Sequence, residues 1–166
     1  MEPTPDQRWE SICGGVTPYG LVLPVSFQVL RELADEWAQL IPPQFDEDHG
    51  PIALLRMARS LFAHAWFDYE FMVVACLIGL QAMEAAFHVL YPDANEKVPF
   101  RALVRRARED GTLTPSLADI AEAGVDLRNV FSHPATQAAL SVGAAGGLLE
   151  PTHRMVALIM TKAFQK

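Results

Sequence analysis

Six consecutive residues, Arg128-Asn129-Val130-Phe131-Ser132-His133, hold the clearest chemical potential in the chain. Imidazole titrates near neutrality, so His133 suits proton transfer, while the planar guanidinium of Arg128 offers two donors to phosphate oxygens as charge develops on them. Asn129 adds an amide able to position a sugar or a phosphate. Five helical steps turn about 500°, which sets Arg128 and His133 about 140° apart and roughly 7.5 Å along an ideal helix. One unbroken helix does not converge them. Either the chain turns at Ser132 and His133, ahead of Pro134, or two copies of the segment meet across a two-fold axis.

A plainer chemistry is open to the same residues. Arg128 can be a partly buried arginine paired with Glu84, and His133 a helix-end residue favoured by the negative end of the dipole. The two readings are compatible, because Glu84 can orient a catalytic Arg128. Gln81, Glu84 and His88 fall at i, i+3 and i+7 and form a polar stripe on an apolar segment. That stripe offers one histidine and one carboxylate with no matching pair elsewhere. It is therefore expected to form a buried hydrogen-bond network, with no metal or other cofactor. His49, His64 and His153 have no triad or cluster spacing, and Ser132 lacks the glycines of a nucleophile elbow. Neither GxxxxGK[ST] nor GxGxxG occurs, which sets aside nucleotide hydrolysis on those scaffolds.

The elements that must position these residues read as helices. Pro3, Pro5, Pro18 and Pro24 with Gly14, Gly15 and Gly20 mark residues 1–24 as an irregular arm whose apolar side chains pack on the rest. Phe27, Leu30, Ala34, Trp37 and Leu40 predict a helix over 25–40, stopped by Pro42 and Pro43. Pro51 opens a second helix, and the segment through Trp66, Phe67 and Tyr69 is equally consistent with a kink or with continuity into an apolar helix over 71–91. Residues 71–80 carry no polar side chain. Ten clean apolar residues fall short of the roughly twenty a bilayer needs, so this is the expected central helix of a bundle, not a membrane span.

A short helix over 98–109, stopped by Gly111, carries Arg101, Arg105, Arg106 and Arg108 on its outer faces. Thr114-Pro115 caps a helix over 115–133, and Pro151 opens a last one after the glycine-rich stretch 141–149, where no element is assigned. Tyr19–Val25 and Ala139–Val142 are the only stretches fit for short strands. The fold expected is all-α, an up-and-down bundle of five or six helices spanning 25–166 as one domain.

The order of Arg128, Asn129 and His133 resembles the RxxxxH motif of the HEPN superfamily, in which a polar residue commonly follows the arginine. The likeness extends loosely over residues 70–134, through Leu80-Gln81-Ala82-Met83-Glu84-Ala85-Ala86, the Arg-rich helix and Ser132-His133-Pro134. It implies a HEPN-like, metal-independent endoribonuclease in a toxin or phage-defence setting, with Arg128, His133 and Asn129 catalytic and Glu84 and Ser132 supporting. In this reading the ribose 2′-hydroxyl attacks the phosphate, and Arg101, Arg105, Arg106 and Arg108 hold RNA. A homodimer with a composite cleft is implied too, as is an antitoxin or other protein partner. The superfamily also contains domains that only bind or dimerise, so a noncatalytic interaction module is the alternative, with the Trp66, Phe67 and Tyr69 region as its partner surface.

Composition sets bounds on all of this. At 166 residues, with 51% hydrophobic and 20% charged residues, the chain is one globular domain and not a disordered one. Its net charge of −7 works against long-range attraction of nucleic acid, and the clustered arginines are its local exception. Cys13 and Cys76 form no CxxC pair, and the acidic start carries no basic-then-apolar leader, so a reducing cytoplasm is expected, with Cys76 a buried, inert thiol.

Overall fold

Apolar residues at helical spacing recur along the sequence, and most of the regular elements follow from them. The structure, a computed structural model, describes residues 4–9, 25–46, 48, 50–95, 97–133 and 139–165. Among these it contains six helices: α1 (Phe27–Ala38), α2 (Gly50–His64), α3 (Glu70–Leu90), α4 (Phe100–Glu109), α5 (Pro115–Phe131) and α6 (Val142–Ala163). No strand forms among the described residues, and Ala139–Val142 leads directly into α6. The other strand candidate, Tyr19–Val25, lies almost wholly outside the described residues, as does most of the arm.

α3 is the centre. Its packing is most extensive against α2 and α6, while α5 and α4 cover less of it and α1 lies on α2. Leu80, Met83, Ala86 and Phe87 are all buried, as an all-round apolar helix requires. By length and composition α3 could cross a bilayer, and 56% of its most apolar stretch is buried within the bundle.

α2 and α3 are separate helices. The break at 65–69 is held from a distance: Asp6 N–H donates to the Trp66 carbonyl at 2.8 Å, and Asp6 Oδ2 accepts from Tyr69 N–H at 2.9 Å. Arg8 beside it, with the Tyr69 N–H second, keeps the Asp6 carboxyl far below the usual carboxylate range. Trp9 is buried and its indole N–H donates to the Val25 carbonyl at 2.8 Å, so the described part of the arm packs on the domain as expected. Tyr69 is buried, with its hydroxyl donating to the Leu140 carbonyl at 2.9 Å. Trp66 is half-buried beside Phe27, and only Phe67 of the three is exposed. The expected aromatic partner surface therefore shrinks to one ring.

The last helix starts nine residues before Pro151. Ser141 Oγ caps it by accepting from Ala144 N–H at 3.1 Å, and Ala145 and Leu149 are buried against the bundle. Tertiary burial thus outweighs the cost of Gly143, Gly146 and Gly147, about 1 kcal/mol each relative to alanine. Pro151 cannot donate to the carbonyl of Gly147, but Gly147 is exposed, so water can serve that oxygen. Two other glycines set helix spacing. A Cβ on Gly79 would lie 2.8 Å from Leu149 Cδ2, and one on Gly124 3.3 Å from Leu80 Cδ2, so α6 and α5 approach α3 at those points.

Candidate active site

α5 carries the motif. Thr114 Oγ1 accepts from Leu117 N–H, Pro115 occupies the first turn, and buried Ala118, Ala121, Gly124 and Val125 face the bundle. The helix ends at Phe131, two residues before the expected stop. His133 N–H then donates to the Val130 carbonyl at 3.2 Å, an i→i−3 bond that leaves the α-helical path. Ser132 Oγ donates to the Arg128 carbonyl at 2.7 Å and fixes the turn. The chain thus turns at Ser132 and His133; Pro134 lies outside the described residues.

Arg128 and Glu84 meet across α5 and α3, with Nη2 3.0 Å from Oε2. Their side chains keep 34% and 22% exposure, so the pair sits at the rim of the core. Arg128 Nε is buried with no hydrogen-bond partner, and the guanidinium is anchored on its inner side by Glu84, not by His133. Asn129, Ser132 and His133 are all exposed. The end of α5 and the turn after it therefore carry exposed Asn129, Ser132 and His133, close in sequence to an arginine paired with Glu84. Gln81 and His88, both partly buried, make no side-chain hydrogen bond among the described residues, so the expected polar network reduces to the Glu84–Arg128 pair.

The arginine cluster is largely neutralised. Arg101 pairs with Asp126, and Arg108 with Asp119 and Glu122. Arg106 lies 2.8 Å from Asp93 and its guanidinium stacks 4.3 Å from the Tyr91 ring centroid. Of the four, only Arg105 has no ion-pair partner among the described residues, and it is exposed. These acidic partners, from α5 and the loop after α3, were missed in sequence because only the tertiary fold brings them to α4.

No family model, curated protein or solved structure matches the chain. The HEPN resemblance therefore rests on its own residues and on their helical setting.

Elsewhere, Asp6, Asp68 and Glu70 bring carboxylate oxygens within 4.8 Å of one another, but Arg8 already bridges Asp6 and Glu70. His153 is fully buried against Trp37, its Nδ1–H donating to the Leu149 carbonyl at 2.7 Å. Burial, with a smaller contribution from Arg59, lowers its pKa to about 4. It is a core residue.

Proposed function

We propose that the protein is a HEPN-like, metal-independent endoribonuclease whose reacting groups are Arg128, Asn129 and His133. The observation that carries this reading is the end of α5, where His133, Asn129 and Ser132 are exposed together next to an arginine oriented by Glu84. His133 takes the proton of a ribose 2′-hydroxyl. The 2′-oxygen then bonds to phosphorus, the bond from phosphorus to the 5′-oxygen breaks, and water protonates the leaving oxygen. Arg128 stabilises the charge gathering on the phosphate oxygens, and Asn129 positions the ribose or phosphate. Arg105 is the arginine of its cluster best placed to add a phosphate contact.

A homodimer fits this reading. α5 and α6 flank α3 with little or no contact between them, leaving an apolar groove over Leu80 and Met83, and Ile120, Leu127 and Val130 expose apolar side chains along α5. A second copy docked there would bring two motif segments toward one cleft. The cytoplasm, where RNA and reduced thiols coexist, is the setting assigned, with an antitoxin or other protein as a further partner.

The test is cleavage of single-stranded RNA in chelator. A 2′,3′-cyclic phosphate end, and no cut where the nucleotide that would supply the attacking oxygen is 2′-deoxy, support the reading; equal cutting of the 2′-deoxy substrate excludes it. The second reading, a noncatalytic interaction module, is favoured by the pairing of Arg101, Arg106 and Arg108 with carboxylates.

A further inference from the structure

A separate cavity of about 450 Å³ opens between α1 and α2, sharing no lining residue with the α5 site and lying within the size range of small-ligand pockets. α1 contributes Arg31 and Asp35 at i and i+4, and α2 contributes Arg56, Arg59 and Ser60 at i, i+3 and i+4, so two helix faces bring their side chains to one cleft. Three arginines line the cleft against one lining carboxylate, Asp35, with Asp48 beside Arg56 as a second, so cationic groups outnumber anionic ones there in a protein of net charge −7.

The three arginines differ in a useful way. Arg31 is exposed and makes no ion pair among the described residues. Arg56 lies 3.2 Å from Asp48, a carboxylate 76% exposed, which a doubly charged anion can displace. Arg59 is buried on the wall, where charge acts through less water and is felt more strongly. His64 Nδ1–H donates to the Ser60 carbonyl at 2.7 Å, which fixes the imidazole with Nε2 as its other polar atom. Phe27 and alanines from both helices supply an apolar wall.

We infer that this cleft binds a small phosphomonoester, its phosphate held by Arg31, Arg56 and Arg59 and its organic body lying against Phe27. Guanidinium forks offer paired donors to phosphate oxygens, and the apolar wall of Phe27 and alanines suits a hydrocarbon body. The site is independent of the ribonuclease reading.

Calorimetric titration of the full chain with phenyl phosphate, inorganic phosphate and phenol tests it. The expected result is saturable binding of phenyl phosphate, at least tenfold tighter than either fragment. Arg31→Ala and Arg56→Ala, both at exposed positions, should each weaken binding at least tenfold. In histidine-ring NMR, phenyl phosphate should shift the His64 resonances and leave those of His133 in place. Absence of saturable binding at millimolar phenyl phosphate overturns the proposal. So does binding that survives both substitutions, or that moves His133 and not His64, since the anion is then held elsewhere.

Discussion

Arg128 Nη2 stands 3.0 Å from Glu84 Oε2, joining the helix that carries the motif to the central apolar helix. This bridge does two things at once. It compensates a carboxylate placed mid-way along α3, and it limits the orientations open to the guanidinium. Arg128→Ala leaves Glu84 mostly buried without its partner and should lower unfolding stability by about 1–2 kcal/mol, the partial exposure of both groups keeping the loss below that of a fully buried pair. The double variant Glu84→Gln with Arg128→Ala should recover part of that loss. Denaturant melts of the four proteins in a double-mutant cycle check it, and strict additivity would show that the pair has no coupling.

Burial keeps His153 neutral down to about pH 4, while the unfolded chain takes up a proton near its ordinary value of 6.5. The contribution of this group is therefore complete above pH 6.5 and is lost as the pH falls toward 4. Over pH 6.5 to 5, before most carboxylates titrate, the loss should approach about 2 kcal/mol. His153→Leu should flatten the slope of stability against pH in that window. Equal slopes for the two proteins would place the acid sensitivity elsewhere.

Gly79 and Gly147 should respond oppositely to a side chain. A Cβ at Gly79 presses on Leu149, so Gly79→Val is expected to cost about 1–3 kcal/mol. Gly147 is exposed and helical with nothing within 4 Å of an added Cβ, so Gly147→Ala should stabilise by about 0.5–1 kcal/mol. Thermal melts distinguish them, and destabilisation by Gly147→Ala would argue against a helix running through the glycine-rich segment.

Desolvation pushes the buried Cys76 thiol up to about 12, leaving it a poor nucleophile at neutral pH. With Cys13 replaced by serine, a thiol-reactive reagent should label the protein only after denaturation. Rapid labelling of the native variant would mean that the α3 core opens readily.

Helix type and order were legible because apolar residues such as Leu30, Ala34 and Trp37 recur at helical spacing and prolines punctuate the chain. Arg128, Asn129 and His133 were legible as a pattern, and Glu84 as the partner of Arg128 because a glutamate inside an apolar helix needs a counter-charge. What escaped was decided by distant partners. The corner before α3 depends on Asp6, 63 positions from Tyr69. The front half of α6 is helical because Ala145 and Leu149 bury against the bundle, which local propensity does not register. The acidic partners of Arg101 and Arg106 lie 25 and 13 residues away. The basic cleft exists only because α1 and α2 pack together.

The most direct measurement is the cleavage rate of a single-stranded RNA pool in chelator by the wild-type protein and by His133→Ala, with circular dichroism melts confirming that the variant is folded. His133 is exposed at the end of α5, so its removal should leave the fold intact. A positioned proton-transfer group contributes about 10²–10⁴-fold, and the account predicts a loss of that size, with cyclic-phosphate ends in the wild-type products. An inactive wild-type protein, or a folded His133→Ala variant that cuts as fast as wild type, would contradict it.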